Sequence, residues 1–362
     1  MNMLISVGNS FINWIRVLWE NKFRISIKYI PRAVYVTLMS LLFSPFILLE
    51  KLIFDRRIKE TKIKKPIFIL GHMRSGTTFL HYVLCQDSQF SFPTTPEVVF
   101  PGMFLSMRKM VYFMVQLFLP KKRPMDNMGI TPELPTEEEL GMANLIPFSP
   151  NNGAYFTKHY YDYVKKYSLF KGVRPSVVKN WKQKYSYYLK KIILRSEGKT
   201  FVSKNLANFG RIEQLSELFP DAKFIFIYRN PYKVFTSTRK LFKSFIIPHM
   251  GFHQIADEAL DDTILDVAEL GFSEYFEKRK KLKKDSLIEI CFEDFVQEPL
   301  RYMEQIYQQL GLEGFEKARP KMEKFCVSYA NYKADKYTMA PELKEKIYTK
   351  LGFVFEELGY GK

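Results

Sequence analysis

The residues best suited to chemistry lie together in one short segment, residues 71–78, whose sequence is GHMRSGTT. It follows an apolar run at residues 66–70 and precedes a predicted helix. Glycines let a backbone fold tightly around an anion, several N–H groups converge at a helix N-terminus, and the helix dipole favours negative charge there. The segment therefore predicts a loop that binds a phosphate-like group.

This loop differs from a standard ATP-binding loop. Its spacing matches the GxxxxGK[ST] pattern, but Thr77 occupies the position of the lysine, and Arg74 is the only lysine or arginine in the loop. The later apolar run at residues 223–228 is followed by Arg229 and Asn230, where a kinase would carry the aspartate that helps to hold Mg²⁺. These residues favour metal-free transfer of SO₃, because SO₃ carries less negative charge than PO₃ and fixed donors such as Arg74 can neutralise it.

The chain around the loop alternates apolar runs with helical patterns, which predicts an α/β fold with a central parallel sheet. Between about residues 100 and 200 the aromatic residues lack strand spacing, so we expect a mostly helical insertion on the acceptor side. The main domain is predicted at residues 66–362. Predicted strands cover residues 66–70, 201–203, 223–228 and 286–291, and predicted helices cover residues 77–85, 299–310 and 341–358.

Residues 1–65 form an N-terminal leader of different composition. Its start lacks a basic segment and a small-residue cleavage site, so we do not expect a cleaved signal peptide. The uncharged stretch at residues 33–49 is 17 residues long, near the lower limit for crossing a bilayer, and contains Pro45. Basic residues on both flanks favour a helix on an anionic membrane surface, which predicts a cytoplasmic, peripherally membrane-associated protein. A spanning helix and a buried core helix are the alternatives.

Composition limits the possible partners. Fifty-five lysines and arginines against 38 acidic residues give a net charge of +17, so anionic partners are expected, whether nucleic acid, nucleotide or lipid headgroup. The sequence lacks a recognisable nucleic-acid-binding module, and we predict no nucleic-acid partner. Cys85, Cys291 and Cys326 are widely separated and too few for a disulfide framework or a structural zinc site, so reduced thiols and no metal are expected.

Two features together resemble the sulfotransferases that use 3′-phosphoadenosine 5′-phosphosulfate (PAPS). RSGTT after an apolar strand looks like the family's loop for the 5′-phosphosulfate. Arg229 is followed eight residues later by Ser237, the spacing with which the family holds the donor's 3′-phosphate. Further similarity runs through residues 204–235, 291–312 and 340–360. The resemblance is to the broad group that includes many bacterial members and the tyrosylprotein sulfotransferases. It implies a P-loop-like three-layer fold and metal-independent sulfuryl transfer from PAPS to a hydroxyl group.

The resemblance also implies roles for individual residues that contact the donor. Arg74 would bind the 5′-phosphosulfate and stabilise charge on the leaving phosphate. Arg229 and Ser237 would bind the 3′-phosphate. Without a donor site, the loop would be an ordinary helix cap and the later pair would lie on a surface turn. The residues that would supply amides and hydroxyls to the donor are Ser75, Gly76, Thr77 and Thr78.

The same resemblance bears on the expected roles of two further residues. Lys204, at the end of a predicted strand, resembles the family lysine that reaches the bridging oxygen and helps the nucleotide to leave. Its structural alternative is a solvated lysine at a strand end. Phe292 stands where the family carries a tyrosine before an acidic pair, so we expect no hydroxyl contact from that position.

The acceptor's hydroxyl must lose a proton to a base as the sulfur is attacked. Glu97, 23 residues after Arg74, lies close to where the tyrosylprotein enzymes carry their catalytic glutamate, and we predict it as the base. His81 on the first predicted helix is the main alternative, although a lone histidine on a helix is more often a packed residue. His159 and the acidic run at residues 137–139 are weaker candidates, because such a run is usually a solvated helix start.

The identity of the acceptor follows less directly from the residues. An apolar leader and an aromatic insertion favour a lipid, sterol or other amphipathic alcohol over a free sugar, since such molecules partition into membranes and apolar pockets. Other small-molecule, glycan and protein acceptors stay open, because a shared donor site does not fix the acceptor. Two other functional classes are carried as alternatives: a Mg²⁺-dependent P-loop kinase and a membrane-bound nucleic-acid binder.

Overall fold

The computed structural model describes residues 7–122, 129–329 and 339–361, and a five-stranded parallel sheet forms its centre. The strand order is β2-β3-β1-β4-β5, which places β1 between β3 and β4. The predicted α/β class with a parallel sheet is confirmed, and each of the four predicted strands is present. β2 has only two residues, too few for a sequence pattern. The strands are β1 Ile67–Leu70, β2 Phe90–Ser91, β3 Thr200–Lys204, β4 Lys223–Tyr228 and β5 Leu287–Cys291.

Helices fill the connections between the strands, and the predicted insertion is mostly helical in its described part. The helices before β3 are α1 Phe11–Glu20, α2 Ile30–Glu60, α3 Thr77–Leu84, α4 Thr95–Val99, α5 Arg108–Phe118, α6 Glu138–Leu145, α7 Tyr160–Tyr167 and α8 Pro175–Arg195. Those after β3 are α9 Ile212–Leu218, α10 Pro231–Leu241, α11 Asp257–Lys278, α12 Phe292–Gln297, α13 Pro299–Leu310, α14 Phe315–Tyr329 and α15 Pro341–Glu357.

Side chains along each strand point alternately to the two faces of the sheet, and a core lies on each face. Ile67 and Ile69 of β1 pack with apolar side chains of α3, α13 and α14. Phe68 and Leu70 of the same strand pack on the other face with side chains of α8, α9, α11 and α15. Because helices cover both faces, β1 is apolar at every position, as expected for a central parallel strand. The result is a three-layer arrangement of helices, sheet and helices.

One face of the leader packs against the main domain. Trp14 of α1 is fully buried, and its indole N–H donates to Thr37 Oγ1 of α2 at 2.8 Å. Glu50 of α2 is also buried. Its carboxylate forms an ion pair with Lys191 of α8 and accepts hydrogen bonds of 2.6 and 2.8 Å from the backbone N–H groups of residues 105–106. These polar contacts hold α2 against the domain.

The opposite face of α2 is apolar and exposed. Among the described residues, one helical segment, Ile27–Glu60, is long and apolar enough to cross a membrane. The neighbouring helix α5 also exposes large apolar side chains. The exposed apolar residues of α2 are Ile30, Val34, Leu38, Leu41, Leu42, Leu48, Leu49, Leu52 and Ile53, and those of α5 are Phe113, Leu117 and Phe118.

Candidate active site

The loop between β1 and α3 is a tight turn at the carboxyl end of the central strand. Gly76 has φ +98° and Arg74 has φ +69°, both in the left-handed region. A Cβ atom on Gly76 would lie 2.0 Å from the ring of Phe292, so side-chain contact as well as backbone conformation requires glycine there. The loop therefore has the tight geometry that the sequence predicts for an anion-binding turn.

The side chains and backbone around Ser75 hold this loop in shape. The Ser75 hydroxyl donates to the carbonyl oxygen of His72 at 2.8 Å, and Ser75 is buried. α3 begins at Thr77, and the first N–H groups of a helix lack intrahelical acceptors. The turn thus directs the N-terminus of α3 and the amides of residues 76–78 towards the end of β1, the arrangement that suits an anion.

Three predicted donor-binding residues meet at this loop. Arg74 Nε donates to Ser237 Oγ at 2.9 Å, and Arg229 Nη1 lies 3.4 Å from the carbonyl oxygen of Arg74. Arg229 follows β4, and Ser237 lies on α10, which Asn230 caps by accepting from the Tyr232 N–H at 3.0 Å. The eight-residue spacing in the sequence therefore corresponds to one strand end and the second turn of the next helix.

Phe292 has a packing role that the sequence did not reveal. Its ring lies under the Arg229 guanidinium, with 4.6 Å between the guanidinium carbon and the ring centroid. The same ring fills the space beside Gly76. Its neighbour Glu293 accepts hydrogen bonds from the Asn230 N–H at 3.3 Å and from the Tyr360 hydroxyl at 2.8 Å. The start of α12 thus supports the segment that carries Arg229.

Lys204 lies at the end of β3, beside Ile69 of β1. It is only 4% exposed, and its ammonium contacts the carboxylate of Glu137. The alternative of a solvated lysine at a strand end is therefore wrong. Its position next to the end of β1 places it close to the start of the loop at residues 71–76, as its predicted role requires.

The acidic run at residues 137–139 is not a solvated helix start, and that expectation is wrong. Glu138 is 0% exposed and Glu139 is 1% exposed, at the N-terminus of α6. Glu138 accepts hydrogen bonds from the hydroxyls of Ser203 and Tyr185, and burial raises the pKa of its carboxyl group. Glu139 forms an ion pair with buried Arg211 at 2.6 Å. Sequence reasoning missed these partners because they lie far away along the chain.

The contacts of Glu97 are those of a helix cap and a buried ion pair. Its carboxylate accepts from the Thr94 N–H at 2.9 Å in a capping box at the start of α4. It also lies 2.6 Å from Arg195 Nε of α8. Burial raises the pKa of the Glu97 carboxyl group, and the charge of Arg195 opposes that rise. Its role as the base stays a prediction.

The two histidine candidates lie in contrasting surroundings. His81 of α3 is fully buried beside Phe92. Burial lowers its pKa well below the ordinary value, and the charge of Lys204 lowers it further, so these surroundings favour a packed, neutral ring. His159 is half exposed in a short turn, with Nδ1 4.0 Å from the Asp162 carboxylate.

Comparison with known proteins gives a family and a fold. The sequence profile described as "Sulfotransferase family" matches residues 66–317. The chain is 31% identical over 357 residues to the omega-hydroxy-beta-dihydromenaquinone-9 sulfotransferase Stf3 of Mycobacterium bovis, covering 98% of this chain and 91% of that protein. Stf3 of Mycobacterium tuberculosis matches with the same identity and coverage.

Two solved structures share the fold. The sulfotransferase STF1 from Mycobacterium tuberculosis H37Rv aligns with a TM-score of 0.68 and 17% identity, covering 94% of this chain and 93% of that one. STF9 from Mycobacterium avium aligns with a TM-score of 0.70 and 16% identity, covering 91% and 86%. The predicted P-loop-like three-layer fold is confirmed.

Proposed function

Because this chain belongs to the sulfotransferase family, we propose that it moves a sulfuryl group from PAPS to the hydroxyl of a lipid or other amphipathic alcohol, without a metal ion. The observation that carries the choice of donor is the meeting of Arg74, Arg229 and Ser237 at the loop between β1 and α3. Their side chains come from two β–α connections, and PAPS carries an anionic group at each end of its ribose.

The donor is bound by charge-assisted hydrogen bonds on these residues. Arg74 and the amides and hydroxyls of residues 75–78 hold the 5′-phosphosulfate, while Arg229 and Ser237 hold the 3′-phosphate. Support comes from the 2.9 Å bond between Arg74 and Ser237, which joins the two groups of residues into one surface. Guanidinium groups recognise phosphate and sulfate through paired donors.

Lys204 acts on the leaving group. In the transfer step, the acceptor oxygen forms a bond to sulfur while the bond between sulfur and the bridging oxygen breaks. The electron pair of the broken bond stays on the phosphate, which leaves as 3′,5′-adenosine bisphosphate. A buried ammonium at the bridging oxygen stabilises this developing charge strongly, because the surrounding protein screens it little. The burial of Lys204 beside the end of β1 supports this role.

The acceptor class is supported by the relatives at 31% identity. Their name specifies the sulfation of an omega-hydroxylated dihydromenaquinone, which is an alcohol on a long apolar chain. The matched region covers 98% of this chain, so it includes most of the apolar leader as well as the donor loop. A hydroxyl group on a membrane-soluble molecule is therefore the substrate that we assign to this protein.

We further propose that the leader holds the protein on an anionic membrane surface. Phe43 of α2 and Val111 of α5 share one buried cluster, so the exposed apolar side chains of the two helices lie on adjoining elements. Lys51, Arg56 and Arg57 follow along α2, where they would meet lipid headgroups. A spanning position is disfavoured because the opposite face of α2 carries the Glu50–Lys191 ion pair, which lipid would not solvate.

The function is tested by incubating the purified protein with PAPS and a membrane lipid extract in the presence of a chelator. A mass gain of roughly 80 Da, the mass of an added SO₃ group, is expected on an apolar alcohol in the extract. Transfer that requires ATP and Mg²⁺ would instead support the kinase alternative and contradict the proposal. Reactions without PAPS are the control.

Membrane attachment is tested by washing membranes that contain the full chain. High salt or alkaline carbonate should release part of the protein, since surface attachment depends on charge and shallow apolar contact. Complete retention in carbonate would contradict surface attachment and favour a spanning helix.

A further inference from the structure

We propose that the turn between α1 and α2 carries an aromatic anchor, made of Trp19, Phe23 and Ile27, that enters the headgroup region of an anionic membrane. This inference rests on the membrane attachment proposed above and adds a second point of contact to it. The three side chains are 73%, 50% and 85% exposed. Large apolar side chains grouped at a protein surface mark an interaction site, since water solvates them poorly.

The two rings of the anchor lie in contact on a strained turn. The ring centroids of Trp19 and Phe23 are 6.2 Å apart in an edge-to-face arrangement. Lys22 and Phe23 both have φ +53°, in the left-handed region that residues with a Cβ atom rarely adopt. Strained backbone of this kind persists where the surrounding structure holds it. The turn therefore keeps both rings together at the surface at a cost in backbone energy.

Buried polar contacts hold the base of this turn. Asn21 is 7% exposed, and its side-chain amide donates to the Val17 carbonyl oxygen at 2.9 Å and to the Tyr163 hydroxyl at 2.6 Å. The Ser26 N–H donates to the Phe252 carbonyl oxygen at 3.1 Å. The turn is thus organised before it meets a partner, which lowers the entropy lost when its side chains enter a membrane.

The charge of the segment suits an anionic lipid surface. Residues 16–32 carry five basic residues and one acidic residue. Lys22, Arg24 and Lys28 are exposed and alternate with the side chains of the anchor. Beside a membrane, lysine and arginine reach the lipid phosphates while their apolar neighbours enter the interface. Anionic lipid is therefore the partner that matches both the apolar and the charged groups of the turn.

The anchor continues the exposed apolar face of α2. Ile27 and α2 belong to one continuous helical segment, Ile27–Glu60, and the next exposed apolar residues along it are Ile30 and Val34. The exposed side chains of α2 are aliphatic, whereas the anchor is aromatic. Because tryptophan prefers the boundary between membrane and water, we place the anchor at the level of the lipid headgroups.

A second copy of the chain is another occupant that an apolar surface can take. In a symmetric dimer the same surface of each copy meets the other. Lys22, Arg24 and Lys28 would then approach their own counterparts, and like charges brought together at an interface are unfavourable. The distribution of charge therefore favours lipid over a second copy.

The test uses Trp19 as its own probe. The chain has three tryptophans, and the other two, Trp14 and Trp181, are fully buried. The full chain is mixed with vesicles of phosphatidylcholine and phosphatidylglycerol whose acyl chains carry bromine, which quenches indole fluorescence on contact. Emission should shift to shorter wavelength and lose intensity, and vesicles of phosphatidylcholine alone should give a smaller change. Trp19→Phe should remove most of the quenching.

Vesicle sedimentation measures what the anchor contributes to binding. Trp19→Ala should weaken binding to the anionic vesicles by roughly tenfold, since a large apolar side chain no longer leaves water. Its thermal unfolding should match that of wild type because the side chain is exposed. Val327→Ala, which shortens an apolar side chain that is 69% exposed on α14, is the matched control and should bind like wild type.

The outcomes separate the anchor from the attachment on which it rests. Sedimentation of the wild-type protein with anionic vesicles, but without quenching of Trp19, would overturn the anchor and leave the proposed attachment in place. A protein that does not sediment with these vesicles would contradict both. A dimer in light scattering that Trp19→Ala abolishes would assign the surface to a second copy and overturn the anchor.

Discussion

We call the residues proposed to bind the donor the donor side, and the buried ion pairs at the starts of α4 and α6 the proposed acceptor side. The two regions are held by different kinds of contact. On the donor side, a hydroxyl, a carbonyl group and an aromatic ring orient Arg74 and Arg229. On the acceptor side, buried carboxylates pair with cations, as Glu139 does with Arg211 and Glu97 with Arg195. Losing a donor-side arginine should therefore weaken ligand binding, whereas losing an acceptor-side partner should leave a buried charge and destabilise the fold.

The largest effect is expected on the acceptor side, from Arg211→Met. Both partners of the Glu139–Arg211 pair are buried, so the substitution leaves an unpaired carboxylate in the interior. The free energy of unfolding should fall by about 3–5 kcal/mol, as measured by urea denaturation. The matched control is Lys281→Met, whose partner Glu213 is exposed; it should cost less than about 1 kcal/mol. Similar losses for the two variants would remove the distinction between the two sides.

On the donor side, Arg229→Ala should change binding with little loss of stability. The substitution should weaken the binding of PAPS by about 1.5–3 kcal/mol for each charged hydrogen bond that is lost. The binding of adenosine 5′-phosphosulfate, which lacks the 3′-phosphate, should be weakened much less. Calorimetric titration with both nucleotides measures the difference, and an equal loss for both would remove Arg229 from the 3′-phosphate site.

His72 tests the comparison from the other direction. It belongs to the donor loop but, unlike Arg229, should affect the stability of the fold. Burial lowers its pKa to about 4, against an ordinary value of about 6.5, so the folded state favours the neutral ring. The stability from this preference is present above pH ~6.5 and is lost as the pH falls towards 4, by roughly 2 kcal/mol at pH 5.

Urea denaturation of wild type and His72→Asn at pH 7.5 and pH 5 tests this linkage. The asparagine amide can replace the ring N–H that donates to the Met73 carbonyl oxygen at 2.9 Å, but it does not titrate. The variant should lose less stability between the two pH values than wild type does. The same loss in both proteins would show that other groups cause the acid sensitivity.

The smallest effect concerns the leader, which belongs to neither side of the site. Lys51→Gln removes one exposed charge beside the apolar face of α2. It should weaken binding to vesicles of anionic lipid by about 1 kcal/mol, or roughly fivefold. Lys324→Gln, on the exposed surface of α14, is the matched control and should bind like wild type in vesicle sedimentation. Equal weakening by both substitutions would mean that net charge, and not this face, attracts the membrane.

The donor side was predictable because its signals are local. The loop at residues 71–78 lies between an apolar strand and a helix, and Arg229 and Ser237 are separated by one strand end and two helical turns. The strands themselves are short apolar runs, buried on both faces, that a sequence reveals directly.

The acceptor side was not predictable because its partners are distant along the chain. Glu137 meets Lys204 across 67 residues and Glu139 meets Arg211 across 72 residues. In a single sequence, an acidic run at a helix start has the same pattern whether it is solvated or buried. The packing role of Phe292 could not be predicted for a related reason: its contacts with Gly76 and Arg229 exist only after three β–α connections come together.

The contacts of Glu50 affect the direction from which a substrate would reach the site. Its carboxylate forms an ion pair with Lys191 and accepts hydrogen bonds from the backbone N–H groups of residues 105–106. Rotation of α2 about its axis would break these contacts and leave a buried charge without a partner. The exposed stripe of α2 and the sulfuryl-transfer site therefore keep a fixed mutual orientation. On a membrane, the contacts of Glu50 would therefore help to set the tilt of the protein and the direction from which a hydroxylated lipid is presented to sulfur.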